Sequence, residues 1–213
     1  MMQKTMLVVA ILSLAGSAFA TAPEVPRTVA QASSTPPDAP LSPSSPPGAT
    51  QPPPSVDPRV QESIQRYNAG VAALQRRDLE YAVYQFRQAI RLNPDLTEAH
   101  HNLGIALLQL RQPLQAIDAF NRALELSPEH VEARLGLGMA LRATGNFARA
   151  SAELNQVLPK RPDDPQLHVA LGDIYLRSNQ PHTAAAHFRD AARLSPDDAS
   201  IWIQLGLACE DAG

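Results

Sequence analysis

The sequence predicts an all-α solenoid, one antiparallel helix pair copied end to end, and three residue ladders carry that expectation. Glycines recur at Gly70, Gly104, Gly138, Gly172 and Gly206, each 34 residues after the last. Alanines keep the same step at Ala82, Ala116, Ala150 and Ala184, and so do prolines at Pro94, Pro128, Pro162 and Pro196. A fourth, more variable ladder reads Phe86, Phe120, Leu154 and Phe188. Independent ladders sharing one period of this length mark a repeat protein, whose units cannot bury their apolar faces alone.

Composition narrows the function. The 213 residues have a formal net charge of -3, which argues against wrapping nucleic acid or coating an anionic membrane. A single cysteine, Cys209, excludes an intrachain disulfide and a thiolate zinc cluster. It falls on a core-facing position of its repeat and is expected to be a small buried hydrophobe. Twelve of the 20 prolines lie between Pro23 and Pro58, and that imbalance locates the domain boundary.

Residues 1–20 read as a signal peptide. Lys4 precedes an apolar run from Met6 to Leu14, and Ala18-Phe19-Ala20 fits the small-x-small cleavage rule. The run falls short of the roughly 20 residues that span a bilayer. Residues 21–58 are Pro, Ser, Thr and Ala with almost no large apolar side chain. Such a segment cannot bury enough surface to offset its conformational entropy, and is expected to be a disordered spacer. Residues 59–213 form the repeat domain. Its units are 63–96, 97–130, 131–164 and 165–198, with a partial fifth from Ala199.

Each unit divides into two helices. In the first, Ala69, Gly70, Ala73 and Leu74 make an apolar stripe at helical spacing. The turn follows at Arg77-Asp78, with equivalents Arg111-Gln112, Gly145-Asn146 and Asn179-Gln180. Gly145 and Asn179 suit a left-handed helix end, and the two arginines suit it less well. Pro113 and Pro181 fall at a first-turn position where proline is tolerated. The second helix carries Ala82, Phe86 and Ala89 and is expected to stop before Asn93-Pro94. In unit three Val157 replaces the second alanine, and Pro159 should end that helix about a turn early. A glycine inside a helix costs about 1 kcal/mol relative to alanine. Five in one register imply that two helix backbones approach closely there.

On these residues the region from Ser63 to Gly213 resembles the tetratricopeptide repeat family, whose 34-residue unit is a helix-turn-helix. The sequence departs from the family at the fourth position of the unit. The expected large aromatic is present only as Trp202, and Arg66, His100, Arg134 and His168 stand elsewhere. The resemblance implies a superhelix with a concave groove lined mainly by first helices. Carried over position by position, the groove shows Tyr67, Val71 and Leu74, then His101, Asn102, Ile105 and Leu108. Leu135, Met139 and Arg142 come next, followed by Val169, Asp173, Leu176 and Arg177. It implies a protein or peptide partner with apolar side chains, its charge tuned by Arg142 and Arg177. Some members clamp a C-terminal carboxylate. Of the matching positions Tyr67, Val71, Asn102, Glu132 and Gly136, only Asn102 keeps the residue that clamp requires.

No enzyme chemistry is expected. The six histidines form no i, i+3 or i, i+4 pair, and His100 with His168 share one repeat position, which marks a structural slot rather than a metal site. Asp163-Asp164 and Asp197-Asp198 precede first helices, where carboxylates favour the helix N-terminus. The glycines lie inside helices and not in a phosphate-binding loop. The expectation is therefore an exported adaptor without cofactor or metal. It would act in a periplasm, with a thylakoid lumen or secretion as alternatives, and stay off the membrane once its signal is cleaved. The rival readings are a regulatory arm of a larger envelope enzyme and a self-assembling structural protein. Because the fifth unit has no second helix, Trp202, Leu205 and Cys209 are expected to form an apolar end patch through which a homodimer could form.

Overall fold

In the computed structural model, residues 57–213 are described. The expected signal peptide, and the expected spacer up to residue 56, lie outside the described residues. The described residues run through nine α-helices: α1 (Pro58–Gln75), α2 (Leu79–Leu92), α3 (Thr97–Gln109), α4 (Pro113–Leu126), α5 (Val131–Ala143), α6 (Phe147–Val157), α7 (Pro165–Arg177), α8 (Pro181–Leu194) and α9 (Ala199–Ala212). Among the described residues there is no strand. The first and second helices of each unit pack together, and each second helix packs on the first helix of the next unit. No described helix is long and apolar enough to cross a membrane.

Helix α1 begins five residues ahead of the repeat. Asp57 caps it by accepting from the Arg59 amide, and Pro58 takes the first helical position, where its missing N–H leaves no gap. Asp164 and Asp198 cap α7 and α9 in the same manner, accepting from the amides of Leu167 and Ser200. Pro113 and Pro181 open α4 and α8. Every first helix with a partner ends in a left-handed residue: Arg77 (φ 61), Arg111 (φ 58), Gly145 (φ 80) and Asn179 (φ 58). The Asp78 amide reaches the Ala73 carbonyl at 2.9 Å and the Arg77 amide reaches Leu74 at 3.1 Å, and the same two bonds close the other three turns. In unit three the second helix does stop early. α6 ends at Val157, and Leu158–Lys160 tighten into a 3₁₀ turn around Pro159.

The glycine ladder has a different cause from the one expected. At Gly70, Gly104, Gly138 and Gly172 the nearest occupant is a side chain of the second helix, and its backbone comes into contact range at Gly138, where the Ala150 carbonyl would lie 3.5 Å from an added Cβ. A Cβ on Gly104 would lie 2.7 Å from the Phe120 ring, and those on Gly70 and Gly172 would meet the rings of Phe86 and Phe188. In unit three Leu154 does the same, 2.4 Å from the position of a Cβ on Gly138. Phe120 also covers Gly136, where a Cβ would meet it at 2.5 Å, so one ring seals its own unit and the next.

The variable fourth position has one job. His100 Nε2 meets the Pro94 carbonyl at 2.8 Å, and Arg134 donates to Pro128 at 2.6 Å. His168 Nε2 meets the Pro162 carbonyl at 3.1 Å, and Trp202 donates to Pro196 at 2.9 Å. Each side chain thus satisfies the carbonyl of the proline that closes the preceding unit. Arg66, with no such proline before it, pairs with Glu62 instead.

Two expectations at the last helix fare differently. Cys209 is exposed, not buried. Its equivalents Ala73, Leu107 and Leu141 are buried and Tyr175 is half-buried, each on a helix with a second helix packed against it, whereas α9 is the last of the described helices. Trp202 is exposed as well, at 49 %, whereas Leu205 is half-buried against a cluster of Ala184, Ala185, Phe188 and Ala208.

These contacts separate glycines that look alike in sequence. Gly104→Ala should destabilise the protein by about 2 kcal/mol, because the Phe120 ring must move. Gly206→Ala, with nothing within 4 Å of its added methyl, should raise stability by up to about 1 kcal/mol. Urea midpoints of the two variants should move in opposite directions; equal shifts would contradict the seat. Arg111→Gly should add about 0.5 kcal/mol, since relief of the left-handed strain exceeds glycine's larger unfolded-state entropy. A lowered melting temperature for that variant would count against the strain.

Candidate binding groove

The five first helices α1, α3, α5, α7 and α9 lie in repeat order, and neighbours touch at α1 with α3 and at α3 with α5. The fourteen residues expected in the groove all sit on four of these helices. Twelve are half-buried: Tyr67, Val71, Leu74, His101, Asn102, Leu108, Leu135, Met139, Arg142, Val169, Asp173 and Leu176. Ile105 is buried and Arg177 is exposed. Half-burial is what side chains on a shared surface show when their stems pack between helices and their tips meet solvent.

Polar bonds join this row across unit boundaries. Asn102 donates from Nδ2 to the Tyr67 phenol oxygen at 3.0 Å. Burial, and then the nearby Glu98 carboxylate, push the Tyr67 phenol above its ordinary range, so it stays neutral. Arg142 donates to Asp173 at 2.8 Å, and Arg177 reaches the other oxygen of the same carboxylate at 2.9 Å. The two arginines expected to tune the charge therefore share one carboxylate, and Arg142 faces it from a side chain only 14 % exposed. That leaves Arg177 as the more accessible cation of the three-residue cluster, at 60 % exposure.

The structure pairs histidines that sequence spacing keeps apart. His101 lies 4.8 Å from His130 between ring centroids and packs against the Phe120 ring at 6.0 Å. His130 caps α5, its Nδ1 accepting from the Ala133 amide at 3.2 Å. Burial, reinforced by His130, pushes the His101 ring down to about 4. Among the described residues no group of three or more His, Cys, Asp or Glu side chains could hold a metal ion.

The sequence reading missed the far end of this row. Ile203 and Leu207 stand 34 residues after Val169 and Asp173 and are exposed at 65 % and 53 %. Carrying the same ladder one step further would have found them.

Because His101 titrates near 4 in the fold and near 6.5 when unfolded, its neutral form stabilises the protein fully above about pH 6.5. That contribution is lost as the pH falls from 6.5 through 4. At about 1.4 kcal/mol per unit, the loss is on the order of 3 kcal/mol. His187, also held below its ordinary value by burial and by His168, adds in the same direction. Chemical denaturation at pH 7.5 and pH 4.5 should show this loss, and His101→Leu should flatten the profile. An equally steep profile in the variant would exclude His101 as its source.

Comparison with known proteins agrees with the helix-pair fold. Two tetratricopeptide repeat models match residues 107–174 and 165–208, and a model described as TPR repeat matches residues 70–110. No curated protein sequence matches. Among solved structures, MamA 41-end from Desulfovibrio magneticus RS-1 is 24% identical with a TM-score of 0.67, covering 69% of this chain and 83% of its own. YrrB, described as a TPR protein with an unusual peptide-binding site, is 24% identical with a TM-score of 0.62, covering 66% and 72%. Pseudomonas aeruginosa pilF is 20% identical with a TM-score of 0.62, covering 73% and 71%. The helix pairs, the 34-residue ladders and these overlapping matches identify residues 70–208 as tetratricopeptide repeats.

Proposed function

We propose that the protein is an exported adaptor that holds a peptide segment of a partner protein along its first helices. The carrying observation is the row itself: half-buried, mostly apolar side chains run from Tyr67 through Met139 to Val169, and exposed Ile203 and Leu207 continue it. Binding would draw on burial of that apolar surface, at roughly 25 cal/mol per Å², less the cost of ordering the peptide. The Arg142, Asp173 and Arg177 cluster carries two cations and one anion, which favours a segment that is apolar with one carboxylate near its end over a strongly acidic one. Tetratricopeptide repeat proteins bind protein or peptide partners, and YrrB is described as having a peptide-binding site. Action outside the cytoplasm, with a periplasm as the compartment, rests on the signal-peptide pattern of residues 1–20.

A second reading, self-association, draws on the exposed Trp202, Leu207 and Cys209 of α9. Light scattering of the purified chain at tens of micromolar separates the two, a monomer favouring the adaptor.

Leu108→Asp and Met139→Asp each place a charge in the half-buried row. Both should abolish capture of partner by the tagged protein in its native compartment, while circular dichroism stays unchanged. A photo-crosslinker at Met139 should identify the captured chain. Full capture by both folded aspartate variants would sink the groove reading.

A further inference from the structure

Four junctions between units use the proline-carbonyl contact, and in two of them the same side chain also meets the second helix. In unit three Arg134 donates to Glu153 of α6 at 3.0 Å. In unit four the equivalent atoms are imidazole nitrogens: His168 Nδ1 stands 3.3 Å from His187 Nδ1 of α8. The proton positions follow from chemistry. A carbonyl only accepts, so His168 Nε2 carries the proton that reaches Pro162. Its Nδ1 is then a bare lone pair, and His187 Nδ1 must be the donor. The His187 ring stacks on Tyr175 at 5.3 Å and 4°. The Tyr175 phenol oxygen in turn accepts from Asn155 of α6 at 2.9 Å. One cluster thus ties α6, the Pro162 loop, α7 and α8 together.

We propose that this imidazole pair makes the seam between α7 and α8, the helix pair of unit four, a proton-sensitive joint, closed while the pair carries up to three ring protons and opened by the fourth. The neutral pair holds two protons. A third, on His187 Nε2, leaves the Nδ1 contact intact and makes its donor charged. A fourth has only His168 Nδ1 to occupy, which sets two N–H groups and two positive charges against each other across 3.3 Å.

The surroundings do not relieve that charge. Asp190, one turn along α8, is the carboxylate that acts on His187, and Arg193 holds it at 3.5 Å. The loop brings Arg161 and Asp164, 3.9 Å apart, and α6 brings the uncharged Asn155. α5 reaches α7 through the Arg142–Asp173 pair. α9 keeps its acids at its ends, Asp198 at the cap and Glu210 with Asp211 in the last turn. The equivalent slots of the other units are built differently: the His100 ring bonds to the Pro94 carbonyl without a second imidazole opposite it, Arg134 keeps its charge at every relevant pH, and Trp202 does not titrate. Because Val169, Asp173 and Leu176 ride on α7, opening this joint moves the C-terminal third of the candidate groove, whatever that groove binds.

Residue-resolved amide exchange of the whole protein from pH 7.5 to pH 4.5 tests the joint. Expressed as protection factors, α7 and α8 should lose about tenfold more than α2, which carries no histidine and takes no part in the His101 and Phe120 contact. The double substitution His168→Arg with His187→Glu, which copies the unit-three pair, should remove that excess. Equal losses in α2 and α8 of the unaltered protein, or an undiminished excess in the folded double variant, would overturn the proposal. Imidazole nitrogen spectra of the unaltered protein need no variant. At neutral pH they should show His168 protonated at Nε2 and His187 at Nδ1, with the pair taking up its two further protons in separate steps. Any other tautomers, or two independent identical titrations, would overturn it too.

Discussion

The structure depends on one contact made four times, a second-helix side chain lying on a glycine of the first helix. Phe86, Phe120 and Phe188 are essentially without solvent exposure in this seat, as is Leu154. Burying a large apolar side chain contributes about 1.5–3 kcal/mol, which exceeds the roughly 1 kcal/mol that glycine costs a helix. With any larger residue at the glycine the ring would have to lift, and the two helices would part. The seat therefore sets how closely each helix pair packs. Through Phe120, which also lies on Gly136, it helps set how one pair meets the next.

A second contact joins the units, and it selects for a bond rather than for a residue type. Proline closes each unit because it disfavours helix before it, yet its own carbonyl must still find a donor. Imidazole, guanidinium and indole all offer an N–H at that reach, which is why His100, Arg134, His168 and Trp202 can fill one slot. What the rest of the side chain does is then free to vary. Arg134 adds an ion pair to Glu153, and His168 adds a contact to His187.

These two contacts align the first helices into one surface. Its polar groups are largely spoken for inside the protein: Asn102 is held to Tyr67, and Asp173 lies between Arg142 and Arg177. Such bonds give the row rigidity without strong charge, and in the proposed adaptor role an arriving chain would meet mainly apolar tips. A surface of this kind suits recognition by shape and burial more than by electrostatic steering.

Periodicity alone determined the helix pairs, their order and their turns, because a 34-residue step repeated in glycine, alanine and proline leaves one architecture able to bury each unit. The early end of α6 was legible from Pro159, and the left-handed turns from Gly145 and Asn179. Tertiary structure decided what the ladders were for. Only the packed pairs reveal that a second-helix side chain, a ring in three units and Leu154 in the other, needs the glycine beneath it, and that Gly206 meets none. They also reveal that the mixed residues at the fourth position share one carbonyl-binding task. Cys209 was misread because burial is conferred by the neighbouring helix and not by the register of its own. The candidate groove residues were legible as positions, but their pairings were not. Asp173 finds Arg142 31 residues away and His168 finds His187 19 residues away, and proximity at such separations is created by the stacking of units.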